Sequence, residues 1–406
     1  MDFRFPILLD GAMGTQLYKR GYQAGYCPEK WCLEHRDEVI AIQRAYVNAG
    51  SDIIYAPTFG ANRVSLENNK IFGKVEEYNT QLVGISREAA GADAHVAGDI
   101  TSCGAMLSPM GSYSFEDIYN IYVEQASALE KAGVDLYIIE TIMNVAEARA
   151  AVLAVRSVSD KPIFVTFSCN EKGRTMTGTD VCAALVIMQR MGVDAFGLNC
   201  SVGPKELVPQ IRRLSELAEV PLIAKPNAGL PRFENGHDVY DISPSDFASY
   251  VPELAEAGTC IFGGCCGTDE NFISAVKEKF SSVQIRRSVC TAQGITAATE
   301  RDVFTIDPDT SYSEVFDCDD DLEDNIMDSD PDTLIAVSIS SEDDISVFAE
   351  CQYAVRNPLC IVCDDAVLLE KALRAYQGIA LYDGALSEEA LASLERKYGL
   401  ITGWKK

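Results

Sequence analysis

Basic residues are scarce in this chain. Across 406 residues, 34 Lys and Arg stand against 61 Asp and Glu, a formal charge of −27. Phosphate backbones are gripped through Lys and Arg, so this deficit argues against a nucleic-acid partner. No apolar run approaches the roughly 20 residues that cross a bilayer, which argues against a membrane protein. The opening MDFRFPILLDG carries too short an apolar core for a secretory signal, and the expected location is the cytoplasm. There the 14 cysteines are expected as reduced thiols or metal ligands rather than a disulfide framework. Histidine is rare too, and His35, His95 and His237 show no ligand spacing, so all three read as structural or surface residues. No glycine fingerprint of the dinucleotide type follows an early strand, which disfavours a doubly wound open sheet.

What the chain does have is alternation. Short apolar runs recur as ILLDG (7–11), DIIYAPT (52–58), HVAGDIT (95–101), LYIIET (136–141), IFVTFS (163–168), AFGLNC (195–200), LIAKPNA (222–228) and CIFGGCC (260–266). Segments such as RDEVIAIQRAYVNAG and FEDIYNIYVEQASALEKAG lie between them, with apolar residues at three- and four-residue steps and glycine at the close. Eight strands alternating with helices predict a (β/α)8 TIM barrel over residues 1–285. The acid-rich stretch FDCDDDLEDNIMDSDPD falls in a segment, Asp302–Val355, without a single Lys or Arg. It lacks the ordered spacing of a calcium loop and reads as part of a solvated acidic linker, 286–332. Residues 333–406 repeat strand and helix three times, which predicts a small α/β unit with a short parallel sheet. Leu334, Val347, Leu359, Ile361 and Leu381 are its expected core. The uncovered edges of so short a sheet favour docking, either as a homodimer contact or against a partner protein.

Barrel chemistry collects where the strands end. These ends carry Asp10, Thr58, Asp99, Glu140, Ser168, Cys200, Asn227 and the adjacent pair Cys265 and Cys266. Neighbouring cysteines are poorly aimed to bridge each other. With Cys200 from the tip of the sixth strand, they can instead make three corners of a tetrahedron around zinc. Three thiolates leave a position for a fourth soft ligand, and a substrate thiol bound there ionises near neutral pH, which implies alkyl transfer to a thiol. Cys103, Cys169, Cys182, Cys260, Cys351, Cys360 and Cys363 read as core residues. Asn227 either hydrogen-bonds its loop or makes a transient metal contact.

Five motifs in order, LLDGAMGTQL, ETIMNVAEARAA, GLNCSVGP, KPNAG and GGCCGT, resemble the homocysteine S-methyltransferase family. That family includes the homocysteine-binding module of cobalamin-dependent methionine synthase and betaine–homocysteine methyltransferase. The resemblance implies a zinc-bearing barrel in which Cys200, Cys265 and Cys266 are the metal thiolates and homocysteine is methylated to methionine. It implies that Asp10 and Glu140 hold the homocysteine ammonium. It also implies that backbone amides around Gly11, Ala12, Met13, Gly14 and Thr15, and near Thr58, receive the carboxylate. The stretch NPLCIVCDDAVLLEKALRAYQGIALYDG is similar to an interior piece of the pterin-binding barrel of methionine synthase, but too short to close one. The expected methyl donor is therefore a methylated corrinoid carried by a separate protein. A sulfonium donor such as S-methylmethionine, or betaine, is the alternative, and a non-catalytic zinc or thiol-binding scaffold is the reading from a different class.

Overall fold

A computed structural model of the chain describes residues 4–405, apart from 109, 231, 235–236, 286–289, 293, 308, 313 and 331–332. Side chains of 233–238 are outside that description, and His237 with them. Contacts divide the chain into two compact units, Met1–Thr177 with Val193–Val289, and Gly178–Gly192 with Cys290–Lys406.

The first unit is built on eight parallel strands: β1 (Ile7–Leu8), β2 (Ile53–Tyr55), β3 (His95–Ile100), β4 (Leu136–Ile142), β5 (Ile163–Phe167), β6 (Ala195–Asn199), β7 (Leu222–Lys225) and β8 (Thr259–Phe262). They pair in the order β1-β8-β7-β6-β5-β4-β3-β2. The seam between β1 and β2 is bridged by Asp52, whose amide donates to the Leu8 carbonyl at 2.7 Å and whose carboxylate accepts the Leu8 amide at 2.7 Å. This is the expected TIM barrel, nearly closed. Helices start where the sequence signals them: Ser114 and Asp117 form a reciprocal cap for Phe115–Ala132, which ends on left-handed Gly133.

Side chains alternate across a strand, so every second residue points into the barrel. Ile53 and Tyr55, Ala97, Ile138 and Ile223 belong to the apolar interior. Two residues further along their strands, towards the mouth, stand Asp99 after Ala97, Glu140 after Ile138 and Lys225 after Ile223. The interior therefore turns from hydrocarbon to charge in a single layer.

The second unit contains an antiparallel ladder of β9 (Ile295–Ala298) and β10 (Val303–Ile306), and a parallel sheet of β11 (Val315–Phe316), β12 (Ile335–Ser338), β13 (Leu359–Val362) and β14 (Leu381–Asp383) in that order. It has four parallel strands, one more than the periodicity announced. The acidic stretch expected as a linker supplies β11 and the helix Leu322–Met327, which buries Leu322 and Ile326. Two apolar residues one helical turn apart suffice to fix so acidic a segment. Leu334, Leu359, Ile361 and Leu381 are buried, whereas Val347 is half-buried and its neighbour Phe348 takes the core position. The helix Val181–Arg190 follows β5 in the chain but groups with this unit: Arg190 Nε donates to the Thr296 carbonyl at 3.0 Å, and the Asp180 amide to Arg301 at 3.1 Å.

Candidate functional site

Cys200 follows β6, and Cys265 and Cys266 follow β8. The three sulfurs lie within 4.8 Å of one another, with 3.9 Å between Cys200 Sγ and Cys266 Sγ. Thiolates at tetrahedral corners, about 2.3 Å from zinc, would lie about 3.8 Å apart. The donor set and its spacing fit that ion. The β7 loop clamps the sulfurs from below: the amides of Cys200 and Cys265 donate to the carbonyls of Lys225 (3.2 Å) and Pro226 (2.7 Å), and Ala228 donates to Cys266 (2.9 Å). Cys200 and Ser201 both sit in the left-handed region, at φ 58° and 59°. Non-glycine residues adopt it at a cost of about 1–2 kcal/mol each, so this tip is strained to aim its sulfur. Gly264 is required beside the pair, because a Cβ there would meet Thr268 Oγ1 at 2.5 Å. Hydrogen bonds from the Cys265 and Cys266 thiols hold Cys200 far below the usual thiol range, while the same bonds raise Cys265 to about 11 and Cys266 higher still. A resident thiolate is already favoured.

Asp10 and Glu140 are buried beside these sulfurs, but they are not empty-handed. Lys225, buried on β7, brings its Nζ to 3.4 Å from Asp10 Oδ1 and 3.9 Å from Glu140 Oε2, and to 4.5 Å from the centre of the Tyr55 ring. Burial raises Asp10 to about 6 and Glu140 to about 7, and Lys225 opposes both shifts. For Lys225 burial disfavours the charge, but Glu140 and Asp10 outweigh it and hold the ammonium protonated. Asn199 joins the two halves of the site: its side-chain amide accepts from the Thr141 amide at 3.0 Å and donates to Thr141 Oγ1 at 2.7 Å and to Glu140 at 3.3 Å. Asp99 completes the layer, buried and with Oδ1 accepting no hydrogen bond.

The remaining residues expected here divide. Gly11 lies against Tyr46, where a Cβ would approach the ring to 2.6 Å. The Ala12 amide donates to Thr268 Oγ1 at 3.2 Å. Met13, Gly14 and Thr15 open the short helix Gly14–Lys19, where first-turn amides have no partner within the helix. Thr58 is fully buried; its amide donates to Ala56, while its hydroxyl donates to the Asp99 carbonyl at 2.8 Å and accepts from the Asp99 amide at 3.0 Å. Thr58 therefore ties the chain after β2 to β3. Asn227 is buried, with its amide bonded to Val202 and its Oδ1 without a hydrogen bond. A cavity of about 610 Å³ opens next to Cys200, lined by Met143, Ser168, Met176, Ser201 and Leu230 among others. Another, of about 550 Å³, lies within the second unit around Tyr382, Asp383, Trp404 and Lys405.

Residues 7–280 match the family model described as homocysteine S-methyltransferase. The chain belongs to the homocysteine S-methyltransferase family. Membership makes it a methyltransferase, and the motifs that carried the resemblance fall inside the matched span. It is 31% identical over 287 residues to the methionine synthase of Mycobacterium leprae, and 30% over 295 residues to that of Mycobacterium tuberculosis. These matches cover 66% and 68% of the chain but 24% of each relative, so the chain spans about a quarter of the length of the curated relatives it matches. Its fold is similar to that of the homocysteine methyltransferase MmuM from Escherichia coli. The oxidized form, at 22% identity and a TM-score of 0.58, is covered over 95% of its length and covers 67% of this chain. The metallated form gives the same identity and TM-score.

Sequence reasoning passed over Lys225, Asn199 and Tyr55. Lys225 stands in the quoted motif KPNAG, and its parity with Ile223 was enough to turn it inward. Asn199 immediately precedes Cys200, but its bond to the Thr141 amide joins positions 58 residues apart and leaves no local trace.

Proposed function

We propose that this chain is a zinc-dependent S-methyltransferase that methylates homocysteine to methionine. The convergence of Cys200, Cys265 and Cys266 on one point carries this reading, beside buried acids and within the family match. Zinc held by these sulfurs supplies a Lewis acid that ionises a substrate thiol near neutral pH. The protein's own contribution is orientation and charge. The left-handed turn at Cys200 and the close packing of Gly264 on Thr268 accompany the convergence of the three sulfurs within 4.8 Å of one another. The acid cluster around Asp10 and Glu140 offers the negative charge that a substrate ammonium needs. Amides at Met13–Thr15 are proposed to receive its carboxylate. In the transfer a sulfur–carbon bond forms as the methyl group leaves its donor, and the thiol proton goes to solvent.

The donor is proposed to be a methylated corrinoid on a separate protein, which the relatives named methionine synthase favour. S-methylmethionine or betaine is the alternative. The second unit is proposed as a domain that does not bind a folate itself and that serves as a docking platform or homodimer contact. Incubating zinc-loaded protein and homocysteine with methylcobalamin, S-methylmethionine and betaine in parallel tests the reading. Methionine formed from methylcobalamin alone supports it, methionine formed from the sulfonium transfers the assignment to the alternative, and none from any donor leaves the scaffold reading.

A further inference from the structure

The sulfur site and Glu140 stand on strands that are not neighbours. Cys200 follows β6 and Glu140 lies on β4, with β5 between the two strands in the sheet. The tip of β4 is irregular. Ile139 pairs with Val165 and Ile142 with Phe167, so three steps along β4 meet two along β5 and one residue is extra. Thr141 takes up the difference in the left-handed region, at φ 59°. For a β-branched residue that conformation is an outlier, and it persists only where neighbouring groups hold it. The tip of β6 is left-handed as well, at Cys200 and Ser201.

One side chain braces both tips. Asn199, 1% exposed, immediately precedes Cys200, and it reaches past β5 to the residue that immediately follows Glu140. Its Oδ1 accepts from the Thr141 amide at 3.0 Å. Its Nδ2 donates to Thr141 Oγ1 at 2.7 Å, to Glu140 Oε2 at 3.3 Å and towards Cys265 Sγ at 4.0 Å. A single amide thus touches the bulge, the acid and a sulfur.

We infer that Asn199 is a positioning residue: by pinning the bulge at Thr141 it sets the span between the sulfur site and Glu140, and so selects the thiol by the length of its carbon chain. This rests on the reading of homocysteine as the substrate, held by its sulfur at one end and its ammonium at the other. A rigid span matches one chain length, whereas a loosened span tolerates chains one carbon shorter or longer.

The test measures Kd by calorimetry on the full-length, zinc-loaded protein for three thiols. These are homocysteine and its homologues one methylene shorter (cysteine) and one longer (2-amino-5-mercaptopentanoate). Zinc affinity is measured beside it by chelator competition. Asn199→Ala is expected to cut the preference for homocysteine over both homologues about tenfold, while zinc affinity stays within about twofold. Thr141→Ala, which removes only the hydroxyl end of the contact, is expected to act in the same direction and serves where Asn199→Ala fails to fold. Combining the two should add little to Asn199→Ala alone, because both act through one contact. Unchanged preferences in both variants, additive losses in the double variant, or a fall in zinc affinity as large as that in thiol binding overturns the assignment. If the wild-type protein does not bind homocysteine, the reading of the substrate falls and this inference with it; if it binds and the preference responds to neither variant, only the role of Asn199 is dismissed.

Discussion

Replacing Cys200 by alanine removes one of three sulfurs that lie within 4.8 Å of one another and leaves the strand that carries it untouched. Zinc held by four protein ligands in small domains binds with about 10–16 kcal/mol at pH 7. One thiolate of such a set therefore contributes roughly 2.5–4 kcal/mol, or about a hundred- to a thousandfold in affinity. Damage to the fold should be small. Cys200 is only partly buried, and alanine meets the same left-handed backbone that cysteine already tolerates at φ 58°. The assay is competition with a chromogenic chelator of known affinity, run beside circular dichroism. Cys351→Ala, which removes a buried thiol of the second unit, is the control and should keep full affinity. Wild-type zinc affinity in Cys200→Ala would refute the three-sulfur site, and equal losses in the control would show that the chelator reports on folding instead.

Three further outcomes follow from the same structure. Homocysteine added at pH 7 should release about one proton per chain, because a thiol with an ordinary pKa of roughly 8.5 must ionise to ligate zinc; calorimetry in buffers of different ionisation enthalpy reads this, and no buffer dependence would count against thiol activation. The metal-free protein should lose stability as pH rises from about 4.5 to 7, because Glu140 binds its proton more tightly folded, at about 7, than unfolded. The loss is at most about 3 kcal/mol, and Glu140→Gln should flatten that part of the denaturation profile. Gly197→Ala should destabilise the barrel by about 3 kcal/mol or more in urea melts, since the added Cβ would lie 2.0 Å from the Ile223 carbonyl, which is backbone and cannot swing aside.

Alternating apolar runs made the eight strands legible, because a parallel strand buried in a barrel is apolar over its whole length and the glycines that stop helices recur before it. The cysteines were equally legible: a CC pair between glycines and a third cysteine at another strand end have few other uses together. Periodicity also turned Lys225 and Asp99 inward, but it could not say how far apart they are. That Lys225 reaches both Asp10 and Glu140, and that Asp99 Oδ1 accepts no hydrogen bond, depends on how strands from opposite ends of the chain are staggered around the barrel. The acidic stretch near Val315 failed for a related reason, since a two-residue strand has no period, and only pairing with Ala336 and Val337 gives it one. Helix Val181–Arg190 follows the barrel's order in sequence, yet its neighbours Thr296 and Arg301 arrive from more than a hundred residues away. Local composition fixes which segments become strands, helices and soft ligands; the balance of buried charge is a property of distances, and those exist only once the chain has closed on itself.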